Sequence, residues 1–135
     1  MQYMLLIYID EKKLEALPPG VFDDMMRGCL THADELQTEG KLLESQQLEP
    51  PSMAKTIRRQ GGRVTTTDGP FAEAKEVLGG FNLIEADSMD EAVAIAMSFP
   101  WSSVGSVEVR PVRDINGVRA RVFSSASTQS KVSAR

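Results

Sequence analysis

The sequence contains few of the residues that build metal, disulfide or cofactor sites. Its 135 residues include one cysteine, one histidine and one tryptophan. Because Cys29 is the single cysteine, an internal disulfide is excluded, and because His32 is the single histidine, so is a metal site made of several histidines. Cys29 falls in an apolar row of helical spacing, which favours a small core residue over a reactive thiol. We therefore predict neither a metal ion nor a cofactor.

Positively charged residues are outnumbered by negatively charged ones. Fifteen Lys and Arg residues stand against 19 Asp and Glu residues, which gives a net charge of −4. Nucleic-acid binding requires clustered basic residues that neutralise phosphates, so we expect no nucleic-acid partner. The apolar segment at the start, residues 1–9, lacks a basic region, a cleavage site and the ~20 residues needed to span a bilayer. We expect a cytoplasmic protein with no membrane partner.

Motifs of several common catalytic machineries are missing as well. The sequence has no glycine-rich phosphate loop, no nucleophile elbow and no zinc-ligand spacing. Their absence weakens the cases for phosphoryl transfer, serine hydrolysis and zinc chemistry. An acid/base enzyme without a cofactor remains compatible with the sequence.

The elements that are present indicate an α+β domain. The apolar run from Met4 to Ile9 predicts a first strand that is covered on both faces. Apolar residues at helical spacing from Val21 to Leu36, followed by Gly40, predict a long helix. The remaining elements, in order, are a strand over 42–48, an inserted hairpin, a strand over 81–86, a helix after the capping box Ser88–Glu91, and a strand over 106–112.

The inserted hairpin has a predicted register. Two strand-like runs, Lys55 to Gln60 and Arg63 to Thr67, are joined by Gly61-Gly62, which suits a tight turn with positive φ at both central residues. In that register Lys55 faces Asp68. The segment after Pro70 is expected to run through a turn or short helix, in which Glu73, Lys75 and Glu76 form a solvated face.

This order of elements matches a ferredoxin-like split β-α-β fold with an antiparallel sheet and an inserted β-hairpin. Two helices can cover only one face of a four-stranded sheet. The apolar first strand therefore predicts that a second copy shields the other face, in a homodimer that forms a dimeric α+β barrel. We assign residues 1–115 to this domain. Residues 116–135 are rich in serine, and we expect a largely disordered tail there.

Asp68 is the strongest candidate for a catalytic role. Pro70 has a fixed φ and restricts Gly69 before it toward an extended conformation, so the Asp68 carboxylate lies at a stiff corner. In a partly desolvated cleft it could act as a general acid or base. The structural alternative is that Asp68 caps the following turn or pairs with Lys55. We expect Phe71 to anchor the loop in the core, with ligand stacking as the alternative.

His32 is a weaker catalytic candidate. A dyad with Asp68 would be an obvious acid/base pair, because a carboxylate orients an imidazole and stabilises its protonated form. Helical phase places His32 at the margin of the buried stripe, which favours an exposed side chain.

The candidates for ligand binding lie elsewhere in the chain. Arg58 could hold an anionic ligand, with its neighbour Arg59 pointing to the opposite face of the strand. Glu108 and Arg110 could line a cavity between two sheets, although an exposed ion pair is favoured. Trp101 either closes a cleft or caps the core, and core capping is favoured.

The segment Thr67–Glu76, followed by Gly79-Gly80-Phe81, closely resembles the motif of the DGPF group of YCII-related proteins. The resemblance continues through residues 3–8, 80–85 and 105–112 and covers most of residues 1–115. It implies a small dimeric α+β barrel, for which enzymatic activity has been suggested. Some YCII-related proteins carry a candidate catalytic histidine on the first helix. Aligned through residues 40–43, that position falls near Cys29, which weakens a histidine-dependent mechanism here.

Two functional hypotheses follow. In the first, the protein is a cofactor-independent acid/base enzyme or a small-molecule-binding dimer with Asp68 at its pocket. The resemblance supports this hypothesis, because related barrel dimers handle small organic compounds that are often aromatic or lactone-like. In the second, it is a non-catalytic regulatory or interaction module of an extracytoplasmic-function sigma factor system, since DGPF proteins often accompany such factors. We favour the first hypothesis.

Overall fold

The structure, a computed structural model, describes residues 1–126, without the side chains of residues 125 and 126. Two short 3₁₀ turns, Pro51–Met53 and Pro100–Ser103, interrupt the connecting segments. The helices and strands, in chain order, are β1 (Gln2–Asp10), α1 (Glu11–Glu15), α2 (Val21–Thr38), β2 (Leu42–Gln47), β3 (Lys55–Gln60), β4 (Arg63–Asp68), β5 (Glu76–Glu85), α3 (Met89–Met97), β6 (Gly105–Pro111) and α4 (Ile115–Ala126).

The main sheet has four antiparallel strands in the order β2-β5-β1-β6. Helix α2 connects β1 to β2, and helix α3 connects β5 to β6, so each connection crosses over a strand of the sheet. This arrangement confirms the predicted α+β, ferredoxin-like fold. Strands β3 and β4 form a separate two-stranded sheet inserted between β2 and β5, as predicted.

The hairpin has the register expected from the sequence. Lys55 is opposite Asp68, and Gln60 is opposite Arg63. Gly61 and Gly62 have φ values of 56° and 81°, which glycine adopts without steric cost. The double glycine therefore sets the turn, and the turn sets which residues face each other.

The core lies between the helices and one face of the sheet. Tyr3, Leu5 and Ile7 alternate along β1 toward this face, and Ile84 on β5 is completely buried beside them. Helix α3 and the loop after it supply the remaining layer with small alanines and with Phe99, Trp101 and Val104. Full burial of one large aliphatic side chain contributes about 1.5–3 kcal/mol, so this face accounts for most of the apolar stabilisation.

The other face of the sheet has no covering element within the described part of the chain. Its apolar residues alternate with the core residues, and the pairs Met4 with Leu83 and Leu6 with Phe81 lie across neighbouring strands. We call this surface the open sheet face; it comprises Met4, Leu6, Tyr8, Phe81 and Leu83, all half-buried. One chain therefore covers only one face of β1, whereas the sequence predicted cover on both.

The helix boundaries follow the predicted capping signals. The Ser88 hydroxyl accepts a hydrogen bond from the Glu91 backbone N–H at 3.1 Å, and the Glu91 carboxylate accepts one from the Asp87 N–H at 2.7 Å. This is the predicted capping box, with the glutamate reaching one residue further back than the usual pattern. Gly40, with a φ of 77°, follows the end of α2.

Two predictions about secondary structure require correction. Residues 73–75 form no helix, and Glu76 already begins β5. The sheet accommodates the two glycines that follow: the register shifts at Gly79, and a Cβ on Gly80 would lie 2.6 Å from the carbonyl oxygen of Gln46. Close approach of β2 therefore requires glycine at position 80, which lies inside β5, whereas this strand was expected to begin at Phe81.

The second correction concerns the tail, because residues 115–126 are helical and not disordered. The Asp114 carboxylate accepts a hydrogen bond from the Asn116 N–H at 3.0 Å. The backbone carbonyl of Asp114 accepts one from the Val118 N–H at 3.2 Å. This local cap starts α4 just after β6, where serine content alone suggested disorder. The serines at 127, 130 and 133 lie outside the described residues. Within residues 1–126, no helix is both long and apolar enough to cross a membrane.

Candidate functional site

A cleft of about 550 Å³ lies between α2 and the core-side face of the sheet, and the segment after β2 forms part of its wall. Most of the wall is apolar, with side chains from β1, α1, α2 and β5. This volume is in the range of small-molecule sites. The lining residues used below are Glu11, Phe22, Cys29, Leu30, Ser45, Glu49, Asn82 and Trp101.

Asn82 is the central polar group of the cleft. It occupies a core-side position of β5, opposite Leu5 on β1 and Ser45 on β2, and only 4% of its surface is exposed. The Ser45 hydroxyl donates to the Asn82 side-chain oxygen at 2.6 Å. Asn82 is the one polar residue in the otherwise apolar run Phe81–Ile84, and this departure is a sequence signal that could have identified it.

The Asn82 amide nitrogen has no hydrogen-bond partner within residues 1–126. Within this part of the chain, every side-chain nitrogen or oxygen that is fully buried has a hydrogen-bond partner. Because the Asn82 amide nitrogen has none, it must be accessible to solvent. Since Asn82 lines the cleft, that space is the cleft. If the amide is turned by 180°, its oxygen takes this place, because Ser45 can donate or accept. One polar end of the amide therefore faces the cleft in either orientation.

Cys29 and Trp101 also line the cleft. Burial raises the pKa of the Cys29 thiol above its ordinary value, and a hydrogen-bonding interaction with the Trp101 side chain opposes this only in part. The thiol is therefore neutral at pH 7 and is a poor nucleophile. Trp101 is buried in the core, as favoured, and is also among the residues that line the cleft.

Charge at the cleft is negative. Glu11 and Glu49 are exposed residues of the lining, and among the described residues no Lys, Arg or His lines this space. Lys75 lies instead beside Asp10, with 3.8 Å between Nζ and Oδ2. The cleft therefore has a neutral polar floor and an acidic component at its surface.

Asp10 was not recognised from the sequence. It is buried at the end of β1, and its carboxylate accepts hydrogen bonds from the Lys12 and Lys13 N–H groups at 3.0 and 3.4 Å. These bonds start helix α1, and the contact with Lys75 ties the DGPF segment to the main sheet. An aspartate at the first position before a helix is a known N-cap signal, so the sequence could have indicated this role of Asp10.

The structure places Asp68 outside the cleft of its own chain. Its side chain is 86% exposed at the end of β4, and Lys55 Nζ lies 2.6 Å from its carboxylate. The predicted pairing with Lys55 is therefore present. Gly69 has a φ of 102°, which corrects the expected extended conformation. The corner is fixed by bonds from the Gly69 N–H to the Ala54 carbonyl at 2.7 Å and from the Thr56 hydroxyl to the Gly69 carbonyl at 2.8 Å.

Phe71 is 77% exposed, so the prediction that it anchors the loop in the core was wrong. Its ring lies 5.5 Å from the Arg58 guanidinium, which also donates to the Phe71 carbonyl at 2.8 Å. The DGPF loop follows the hairpin, and the hairpin does not reach the core. Arg58 therefore holds Phe71, and neither residue lines the cleft of this chain.

His32 is half-buried on α2, where an exposed side chain was favoured. Its Nε2 lies 2.7 Å from the Ser98 hydroxyl, its Nδ1 lies 3.5 Å from the Glu35 carboxylate, and its ring centroid lies 5.0 Å from that of Phe99. The structure therefore pairs His32 with the end of α3, and no hydrogen bond joins it to Asp68 within residues 1–126.

Glu108 and Arg110 form an ion pair at 2.7 Å on the open side of β6, and both side chains are exposed in the single chain. The hydrogen bond from Arg110 and the charge of Glu108 raise the pKa of Arg110. This is the favoured exposed pair. Glu108 and Arg110 also border the open sheet face. The alternative, that they line a cavity between two sheets, requires a second copy and stays a prediction.

Comparison with known proteins identifies relatives. The family model described as YCII-related domain matches residues 1–116. An uncharacterized protein of Rhizobium meliloti (strain 1021) is 39% identical over 114 residues, which covers 83% of this chain and 92% of that protein. Among solved structures, the chain is similar to 5-chloro-2-hydroxyhydroquinone dehydrochlorinase from Burkholderia phenoliruptrix AC1100, in complex with 2,5-dihydroxybenzoquinone. That likeness has a TM-score of 0.43 and 15% identity, and covers 84% of this chain and 94% of the other.

Proposed function

This chain belongs to the YCII-related family, and from that premise we propose that it is a homodimer that binds a small organic molecule in the cleft between α2 and the sheet. The ligand presents an apolar body to the cleft walls. A polar group of the ligand meets Asn82 at the floor.

The unpaired end of the Asn82 amide carries this proposal. Buried polar side chains are hydrogen-bonded in the great majority of cases, and the end of this amide that reaches the cleft is open to a hydrogen bond from water or from a ligand group that displaces it. A polar group that serves only packing would be easy to replace with an apolar one. An amide held by Ser45 with its other end in a cleft is the arrangement expected where a ligand completes the hydrogen bonds.

The open sheet face supports the homodimer. Its five half-buried apolar residues form a continuous patch across β1 and β5, and such patches mark interaction surfaces. A second copy of the same face would cover it by sheet-on-sheet packing around a twofold axis.

An acid/base role for Asp68 is a separate part of the proposal. Asp68 lies outside the cleft of its own chain, so it could act there only if the hairpin of the second copy carried it to the opening. The ligand-binding proposal does not depend on this contribution.

A ligand screen with a blocked variant tests the binding site. A library of small heterocyclic compounds is screened by NMR on the uniformly ¹⁵N-labelled protein, and the side-chain amide signals of Asn82 are followed directly. Binders should shift these signals. Leu30 is an exposed residue of the lining, so Leu30→Trp should fill the opening and abolish binding without loss of folding.

The matched control is Met97→Trp, which places the same ring on an exposed position of α3 outside the cleft. It should leave binding unchanged. Hits that survive Leu30→Trp, or a library without any hit at Asn82, would refute the proposed site and favour the interaction-module hypothesis.

A charge on the open sheet face tests the homodimer. Leu6→Glu should convert a dimer into a monomer in analytical ultracentrifugation, because the new carboxylate would be buried without a partner. Met97→Glu introduces the same charge on an exposed surface and should leave the mass unchanged. A monomeric unmodified protein at micromolar concentration would contradict the dimer.

A further inference from the structure

We propose that the cleft selects apolar molecules that carry a positively charged amine and discriminates against carboxylates and phosphates. This inference rests on the proposed function and names the class of ligand. It assigns Glu11 and Glu49 to the recognition of charge and Asn82 to the recognition of a neutral polar group.

The charged residues of the lining have one sign. Glu11 at the start of α1 and Glu49 after β2 both contribute to the cleft surface, and no basic side chain of the described residues lines it. An anionic ligand would enter a space whose lining includes two glutamates and no compensating cation among the described residues. The net charge of −4 for the whole chain acts in the same direction at longer range.

Lys75 contacts Asp10, the residue before Glu11, and lies outside the lining. Lys75 lies at 3.8 Å from the buried Asp10 carboxylate, which also accepts two backbone hydrogen bonds. Moving Lys75 toward a ligand would leave the charge of Asp10 without this cation. Lys75 therefore already has an acidic partner outside the lining of the cleft.

The inner surface suits the body of such a ligand. Phe22 and Trp101 provide aromatic surface in the lining, and a cation over an aromatic face gains about 0.5–2 kcal/mol. The Asn82 amide is more than nine-tenths buried and has one end unpaired. It can form a hydrogen bond with an uncharged hydroxyl or carbonyl group of the ligand. A carboxylate would find one neutral amide there and no cation.

Three probes with the same indole body test the inference: tryptamine, tryptophol and indole-3-acetate, which differ mainly in the charge of the side arm. Isothermal titration calorimetry at 50 mM salt should give the tightest Kd for tryptamine and the weakest for indole-3-acetate, about tenfold apart. The difference should shrink at 500 mM salt, because the carboxylates are at the surface and are screened.

Substitution of the two lining carboxylates isolates their role. Glu11→Gln combined with Glu49→Gln should bring the three affinities to within about twofold, while the affinity for tryptophol stays nearly constant. The control pair, Glu39→Gln with Glu73→Gln, changes the net charge by the same amount outside the cleft and should preserve the tenfold preference.

The outcomes separate this inference from the proposed function. If indole-3-acetate binds at the cleft as tightly as tryptamine, or if the preference survives loss of both lining carboxylates, the charge selection is wrong and the binding site stands. If tryptamine does not bind, the inference fails, and the proposed function is then decided by the heterocycle library. If tryptamine binds equally well to the Leu30→Trp variant, both fail.

Discussion

The two sheets of this protein differ in almost every physical respect. The four-stranded sheet carries the buried core and one wall of the cleft, whereas the hairpin of β3 and β4 has no buried residue. The hairpin nevertheless leads into the most distinctive sequence motif, Asp68-Gly69-Pro70-Phe71. A motif on the part of the chain with the least packing is not there to stabilise the core of its own subunit. The comparison therefore separates the residues that hold the fold from those of the motif Asp68–Phe71.

Truncation of one isoleucine in each sheet should give the largest difference in the free energy of unfolding between the two sheets. Ile84 is 0% exposed, and Ile57 on the hairpin is 70% exposed. Ile84→Ala removes buried methyl groups and leaves a cavity, so it should lower the free energy of unfolding by about 2–5 kcal/mol. Ile57→Ala should change it by less than about 0.5 kcal/mol. Urea denaturation followed by circular dichroism measures both.

The comparison would fail if Ile57→Ala cost as much as a core truncation. Such a result would mean that the hairpin is covered in solution, and its concentration dependence would show whether a second copy provides the cover. Leu6→Glu combined with Ile57→Ala would then separate the contribution of the dimer from that of the single chain.

Two glycines provide the next test, with effects of about 1 kcal/mol and opposite sign. Gly28 lies in α2, and a methyl group added to it would meet no atom within 4 Å beyond its own stretch of helix. Gly28→Ala should therefore stabilise the whole domain by about 0.5–1 kcal/mol through helix propensity. Gly62 has a φ of 81°, where a side chain is strained, so Gly62→Ala should destabilise the hairpin by about 1 kcal/mol.

Hydrogen exchange distinguishes these two effects. Gly62→Ala should accelerate exchange of the β3 and β4 amides about fivefold and leave global unfolding nearly unchanged, because the hairpin opens locally. Gly28→Ala should slow exchange in the core strands. A shift of the global transition by Gly62→Ala would instead show that hairpin and core unfold together.

Thiol reactivity gives a smaller, pH-dependent difference. Burial raises the pKa of Cys29, so the folded protein should react with iodoacetamide more slowly at pH 8 than a hairpin cysteine made by Thr66→Cys in a Cys29→Ser background. Because the folded-state pKa lies above the unfolded value of about 8.5, the stability linked to Cys29 is present below that pH. It is lost as the pH rises through the folded-state pKa. Equal alkylation rates would place Cys29 in solvent.

Much of the fold was predictable because local signals agreed with one another. The double glycine fixed the hairpin register, Ser88 and Glu91 fixed the start of α3, and apolar spacing fixed α2. The errors have two causes: a tertiary contact that outweighs local pattern, and a local cap that composition alone does not show. Strand β5 begins before the expected Phe81 and includes Gly80, where β2 approaches closely, and the cap at Asp114 starts a helix inside a serine-rich segment.

The site was less predictable because a cleft depends on which residues come together. Asn82 and Ser45 are 37 positions apart in sequence, and only the pairing of β2 with β5 makes them neighbours. Sequence motifs favoured Asp68, which is conspicuous in sequence and exposed in the folded chain. Of the predicted ligand-binding residues, Trp101 lies at the cleft, because its position after α3 brings it close to Cys29.

Asp68→Asn should have the smallest effect on stability. The carboxylate and Lys55 form an exposed pair at 2.6 Å, and such pairs contribute about 0–1 kcal/mol because water and salt screen them. The loss should therefore be less than about 0.5 kcal/mol and should vanish at high salt. Lys55→Gln removes the same pair from its other side and should have an equal effect on stability. If both variants leave stability unchanged but only Asp68→Asn weakens binding at the cleft of the intact dimer, the aspartate contacts the ligand from the second copy. If neither affects binding, the motif Asp68–Phe71 is separate from the cleft, and the two sheets differ in function as they do in packing.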